Sequence, residues 1–440
     1  MHGEISRKDK FIAFSLGVFV GLVILGFGLY QVPAVQSRVS WRVDFAMTFI
    51  RGIFDPVKPI PTPNAVAEIA GENGKGVEGP VAAFPVRPTG TATQRATATT
   101  APVTPETPVP TNTPAPTLTP TAIPQQASLA APSYEKQDLN NCGPATLSMH
   151  LRYYGWEGDQ KTISSLIKPK NEDRNVNVEE LAAYVNTQVP GLEIQYRVGG
   201  DVEMLTKLLA AGFPVTIEEA FIMAESYWFN DDRWAGHYLL LTGYDEKTRR
   251  FTAQDVFVGP NLSIPYEVLD KNWKAFNRVY ILVYPTDQRG TVQQILGEHW
   301  DVNANRQHAL DLAKQETELD STDSYAWFNY GTNLVYFEKY AQAAQAYDEA
   351  RKNGLPQRML RYQFGPFFAY FHTSRMEDLL ALTDYALKRT PNSEEALLWY
   401  GWAMYRKGDR EAAVEAFQEA LAARPDFPDA IYGLNFVRDN

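Results

Sequence analysis

QDLNNCGPATLSMHLRYYGW, residues Gln137 to Trp156, holds the only cysteine of the chain at the point where a loop turns into a helix. Polar residues run to Asn141, then Leu147, Leu151 and Tyr154 recur at helical spacing. Gly155 supplies a stop, so the pattern predicts a helix over Cys142 to Tyr154 with Asn141 as its cap. A cysteine in a first helical turn meets unpaired backbone N–H groups and the positive end of the helix, both of which favour thiolate over thiol. Gly143 leaves the approach to sulfur open, and Gln137, five residues upstream, is placed to offer a carboxamide donor to an oxyanion.

The second informative stretch is WAGHYLLLTGYDEKTRRFTAQDVF, Trp234 to Phe257. His237 opens one strand and Asp255 closes the next. A hairpin turning at Glu246 or Lys247 sets residue 237 opposite 255 or 257, on one face with Asp255, whereas a turn centred half a residue away sends Asp255 to the other face. On the first register a carboxylate holds one imidazole nitrogen and the other is free for the thiol proton. Taken singly, Cys142 reads as packing, His237 as a core histidine and Asp255 as a turn residue; the combination argues for a site. The stretch Glu218 to Trp234, EEAFIMAESYWFNDDRW, is read as a loop flanking the cleft.

Around these motifs the chain is α+β. Helices are predicted after Asn177, with Glu180 three residues on, and from Asp201 to a stop at Gly212. Strands follow at Phe213 to Ile217, Tyr238 to Thr242, Arg250 to Val256 and Val279 to Tyr284, which predicts an antiparallel sheet packed on the helical half. From Arg289 the sequence is helical with a period of about 34 residues. Gly331 and Gly401 mark equivalent positions, and Ala343, Tyr347 and Ala350 align with Ala413, Phe417 and Ala420. Gly365 begins a diverged copy between them, with Leu379, Ala386 and Pro391, and Gly297, Ala309 and Ala313 suggest a fourth upstream.

The N-terminal part is different. Phe11 to Tyr30 is an uncharged run of twenty, long enough as a helix to cross a hydrocarbon core of about 30 Å. It is read as an uncleaved anchor; Val32-Pro33-Ala34 marks where a signal peptide would be cut instead. Arg7, Lys8 and Lys10 before it, against Arg38 and Arg42 after it, place the N-terminus in the cytoplasm and the bulk of the chain outside, as a single-pass protein of the cell membrane. Trp41 to Phe54 has helical apolar spacing and is either an interfacial helix or a stalk. Residues 87–124 contain 13 threonines and 9 prolines, a composition that forms no core and reaches on the order of 100 Å as an extended spacer.

Composition excludes several functions. With 41 basic and 52 acidic side chains, net −11, no positive stripe for nucleic acid is expected. One cysteine permits no disulfide within the chain and no cysteine-rich zinc site, and neither H-E-x-x-H nor C-x-x-C occurs, so neither metal nor cofactor is expected. The glycine-bearing Gly71 to Gly76 lacks the spacing of a phosphate loop and is read as linker.

At Gln137, Cys142, His237 and Asp255 the sequence resembles the bacteriocin-processing cysteine peptidases, family 39 of the cysteine peptidases, over about 160 residues, and its C-terminal part resembles the tetratricopeptide repeats. The first resemblance implies a papain-like fold with Cys142 as nucleophile, His237 as base and acid, Asp255 as its partner and Gln137 as oxyanion donor. The five-residue gap from Gln137 to Cys142 departs from the six usual in papain-like enzymes, and the transporter domains that accompany leader-peptide processing are missing. The expected organisation is a cytoplasmic tail (1–10), a transmembrane helix (11–30), a juxtamembrane segment (31–60), a disordered linker (61–127), an α+β papain-like domain (128–288) and an all-α repeat solenoid (289–440). The expected function is cleavage of peptide or protein amides, by hydrolysis or by acyl transfer to an amine, with the repeats binding a protein partner or docking on the catalytic unit. The alternative is an inactive papain-like scaffold for surface protein–protein interaction.

Overall fold

The computed structural model describes residues 58–64, 123–168, 176–223 and 233–439, with scattered positions between 17 and 54. Much of the expected membrane helix 11–30 and most of the expected linker therefore lie outside the described residues. Among the described residues, no helix is long and apolar enough to cross a membrane.

The predicted helix at the cysteine is α1 (Cys142–Tyr153), and Gly143 to Leu151 are all buried. It is the central helix of the first unit and packs on a sheet. That sheet comprises β1 (Gln126–Ser128), β2 (Leu192–Arg197), β3 (Val215–Ile222), β4 (Trp234–Asp245), β5 (Arg250–Asp255), β6 (Gly259–Pro265) and β7 (Tyr280–Pro285). Its order is β2-β7-β3-β4-β5-β6, antiparallel at every pairing, with β1 added beside the end of β4. Gln126 and Ala127, expected at the end of the linker, thus form an edge strand with Ser128: Ala127 pairs with Tyr244, and its carbonyl lies where a side chain on Gly243 would be. β3 also runs beyond the expected Ile217. Glu218 to Ile222, expected in a loop, pair with Tyr238 to Trp234.

The remaining helices of this unit are α2 (Gln160–Ile167), α3 (Val178–Gln188), α4 (Val202–Ala210) and α5 (Tyr266–Trp273). Asp201 caps α4 as predicted, accepting from the Met204 amide, and Glu180 accepts from the amide of Asn177 at the start of α3. Asn141 stands at the N-cap of α1 as predicted, its carbonyl accepting from the Ala145 amide (3.0 Å), but its side chain makes no capping bond. Its side chain donates instead to Gln160 Oε1 at 2.8 Å, because the glutamine gathers the preceding loop onto α2.

After β7 come α6 (Arg289–Leu296) and α7 (Val302–Leu319), followed by three hairpins: α8 (Ser324–Tyr336) with α9 (Tyr340–Lys352), α10 (Gly365–His372) with α11 (Met376–Arg389), and α12 (Glu394–Arg406) with α13 (Arg410–Ala423). α14 (Pro428–Asp439) closes the stack. The reason for the period is visible in two equivalent sandwiches. A Cβ on Gly331 would lie 2.9 Å from the Tyr347 ring and one on Gly365 would meet the same side chain; Gly401 and Gly433 bracket Phe417 likewise at 2.9 and 2.8 Å. In both, the second helix, α9 or α13, lays an aromatic ring against the bare backbone of the first helices on either side. Gly297, expected in a fourth copy, has φ 55° in the turn ending α6 and touches no ring, so it is a helix stop; Ala309 and Ala313 are buried on α7.

The two units share one apolar cluster, which runs from Leu147 and Tyr238 through Phe276 to Phe328 and Tyr347. Polar contacts pin the seam. Asn277 and Asn333 exchange amide hydrogen bonds (3.0 and 3.2 Å), Asn329 donates to the Lys274 carbonyl (2.7 Å), and Lys274 meets Asp323 at 2.6 Å.

Candidate active site

Four predicted residues, Gln137, Cys142, His237 and Asp255, converge from three elements. Cys142 opens α1 and is partly exposed, while Gly143 to Leu151 behind it are buried. α1 is held to β4 by Thr146, whose hydroxyl donates to the Tyr238 carbonyl (3.0 Å), and Gly143 lies against the Tyr238 ring. The loop before the cysteine is fixed by Gln160, which accepts from the Asp138 amide (2.7 Å) and Asn141 and donates to the Lys136 carbonyl (2.9 Å). Glu135 ties the loop to the far end of α1 by pairing with Arg152 at 2.7 Å.

The histidine–aspartate geometry depends on a bulge. Near the turn, Gly243 pairs with Thr252 and Asp245 with Arg250; if continued, that register would set Asp255 opposite Leu240, on the face away from His237. One extra residue, Thr242, is inserted on β4, and beyond it Leu241 pairs with Ala253 and Leu240 with Gln254. Continuing this register puts Asp255 opposite Leu239, two residues from His237 and on its face. His237 Nε2 and Asp255 Oδ1 are 2.9 Å apart, and the same oxygen accepts from the amides of Phe257 (2.7 Å) and Val258 (3.0 Å). Both side chains are almost fully buried.

Cys142 and His237 line the same cleft, and each shifts the protonation of the other. Burial alone would raise the thiol, but the hydrogen bond and charge of His237, the Tyr238 amide and the Lys168 ammonium outweigh it and the thiol is lowered. Burial would likewise lower the imidazole; the bonds to Asp255 and to Cys142 reverse this and push it up to about 10. Asp255 is held below its ordinary value against its own burial by His237 and the two amides. All three shifts run in the direction that favours charge on these groups, the thiol and carboxyl losing a proton more easily and the imidazole holding one more firmly.

Gln137 lines the same cleft, tied down by its backbone amide to the Val256 carbonyl (2.9 Å), and among the described residues its Oε1 is buried without a hydrogen-bond partner. Of the neighbours, Glu219 and Phe221 fall in the stretch read as flanking the cleft, and the others carry no sequence signal. Glu219 on β3 lies directly across from His237, is buried, and is pushed up to about 7, chiefly by that burial. Phe221 and Phe257 flank the imidazole at 5.2 and 6.3 Å between ring centres. The opposite wall comes from the repeat region: Arg358, Arg361 and Tyr362, between α9 and α10, line the cleft with Cys142 and His237. Tyr362 packs edge-on to Trp234 and Phe276 and covers the bare Gly236 before the histidine. Among the described residues, no cluster of His, Cys, Asp and Glu is arranged to hold a metal.

Residues 124–281 match the peptidase C39-like family. The C39-like domain is followed by a tetratricopeptide region, in which residues 394–427 match the repeat. Among solved structures, the chain is similar to a C39-like peptidase of Bacillus anthracis, at 18% identity over 36% of this chain and 97% of the other with TM-score 0.30. It is similar to xylellain, a cysteine protease of Xylella fastidiosa, at 15% identity over 38% and 87% with TM-score 0.29. It is also similar to YrrB, a repeat protein with an unusual peptide-binding site, at 19% identity over 34% and 72% with TM-score 0.28. No curated protein matches.

Proposed function

We propose that this chain is a membrane-anchored, extracytoplasmic cysteine peptidase that cleaves peptide or protein amides. The observation supporting this most directly is that His237, hydrogen-bonded to Asp255 at 2.9 Å, lines one open cleft with the Cys142 sulfur. The Cys142 thiolate attacks the amide carbonyl carbon, and the negative charge that develops on its oxygen is met by the Gln137 carboxamide. As the C–N bond breaks, the His237 imidazolium gives its proton to the leaving amine, leaving a thioester and a neutral imidazole. His237 then takes a proton from water, the hydroxide oxygen adds to the thioester, and the acid and the thiolate are released. An amine in place of water would give transfer, using the same residues.

The test is hydrolysis of a quenched fluorescent peptide library by the detergent-solubilised full chain, run beside labelling with a thiol-directed electrophile at neutral pH. The wild type should cleave and label rapidly, Cys142→Ser should do neither, and His237→Ala should label slowly and not cleave. Equal, slow labelling of wild type and H237A with no cleavage would refute the proposal in favour of the inert scaffold. Membrane anchoring rests on the apolar run 11–30 with its basic flank at Arg7, Lys8 and Lys10. Retention of the chain in carbonate-washed membranes, with the C39-like domain open to added protease in spheroplasts, would support it; release by the wash would refute it.

A further inference from the structure

The most specific contact not used by the cleft is made by seven residues upstream of both units. Lys58 to Asn64, KPIPTPN, is neither helix nor strand and lies across α9 and α11, the second helices of consecutive hairpins. Its prolines lack N–H groups and restrict it to extended forms, so its backbone offers mainly carbonyls and a receptor must supply donors. That is what these helices present. Arg351 on α9 donates Nε and Nη2 to the Pro61 carbonyl (3.0 and 2.6 Å), and Tyr385 on α11 donates its hydroxyl to the Lys58 carbonyl (2.8 Å). The amide of Asn64 donates to Asp378 Oδ1 (3.1 Å). Between these anchors Ile60 is only 8% exposed and joins the apolar cluster of the repeats.

The receptor is built from buried charges. The Arg351 side chain is 1% exposed, and its Nη1 donates to the Tyr370 hydroxyl (2.9 Å) and Asp378 (3.1 Å). Arg375 closes the network by reaching Asp348 at 2.6 Å and Asp378 at 2.7 Å. Two arginines balance two aspartates, so the fork of Arg351 is aimed and held before any ligand arrives. A buried guanidinium edge with nothing to bond to is costly, so an acceptor such as a carbonyl is required at that place.

We propose that α9 and α11 form a binding site for an extended Pro-aliphatic-Pro peptide, which the chain fills with its own Pro59-Ile60-Pro61. The pattern occurs again as Pro108-Val109-Pro110 in the Thr/Pro-rich stretch, with one methylene fewer at the buried position. Because residues 65–122 join the first copy to the folded body, the site sees it at an effective concentration that falls only slowly with linker length. An outside ligand must displace it. This site is independent of the thiol chemistry.

The test is fluorescence anisotropy with labelled KPIPTPN and the detergent-solubilised full chain. Ile60→Asp unseats the internal ligand without touching either helix, so it should bind the peptide at least about tenfold more tightly than wild type. Adding Tyr385→Phe should weaken that binding several-fold, and a scrambled peptide should not bind. Ile60→Ala, a milder change for use if I60D is misfolded, should bind between wild type and I60D. Equal affinity of wild type and a folded Ile60 variant, absence of binding by both, or equal binding of the scrambled peptide would overturn the proposal.

Discussion

Asp255→Asn removes a charge at the candidate site while keeping its shape. The carboxylate uses one oxygen, Oδ1, for all three of its contacts, to His237, Phe257 and Val258, and an asparagine carbonyl oxygen in that place can accept the same three bonds. What is lost is charge. The bond that remains still has a charged donor, so the loss is the attraction of the carboxylate itself, which at this distance shifts a pKa by about 1–3 units; at the lower end the imidazolium loses about 1.4 kcal/mol. At about 1.36 kcal/mol per pH unit, the titration of His237 falls by about one unit. The assay is the pH dependence of kcat/KM on a quenched fluorescent peptide. For the wild type, the acid limb reports protonation of Cys142 and the alkaline limb loss of the His237 proton near about 10. D255N should move the alkaline limb down by about one unit and leave the thermal transition close to wild type. D255A, which leaves two backbone amides and the imidazole without their acceptor, should lower that transition as well. An alkaline limb that does not move in a folded, active D255N would refute the view that the Asp255 charge holds the proton on His237.

The wild type should label with iodoacetamide below the ordinary cysteine range, because Cys142 is lowered, and H237A should shift that midpoint upward; coincident midpoints would contradict the pairing. His150, buried between Thr216 Oγ1 (2.9 Å) and the sheet, is pushed down to about 3 by burial. The unfolded chain takes up a proton there below about pH 6.5 that the folded chain refuses. Stability should therefore fall, by up to about 1.4 kcal/mol per unit, as pH drops from about 6.5 towards about 3, and His150→Gln should flatten that slope in urea titrations. Gly401→Leu drives a side chain into the Phe417 ring and should destabilise the chain by about 1–3 kcal/mol in the same assay, whereas substitution at exposed Lys352 should not.

The site was legible where local chemistry carried the signal. Cys142, His237, Asp255 and Gln137 stand in short motifs at the ends of elements, and the 34-residue recurrence of glycine was enough to place the hairpins. Register was harder. Sequence left two faces open for Asp255, and the answer turns on Thr242, an ordinary strand residue that becomes the bulge. β6 was missed because GPNLSIP has the composition of a turn, and β1 because three residues carry no period. The end of β3 was mistaken for loop because Glu218 and Glu219 are acidic, yet both are buried beside the site. Gln160, Arg358 and Tyr362 act over long sequence distances, and nothing in their neighbours predicts whom they meet.

If the chain is the peptidase proposed above, the cleft wall contributed from between α9 and α10 makes recognition and cutting tasks of one surface. A peptide lying over Cys142 touches both halves of the molecule, so a shift in the stacking of the hairpins alters the width of the mouth without disturbing the sulfur or the imidazole. Exchanging the repeat array between such chains would thus transplant selectivity along with it, and the C39-like half cut free would be a broader, less discriminating trough.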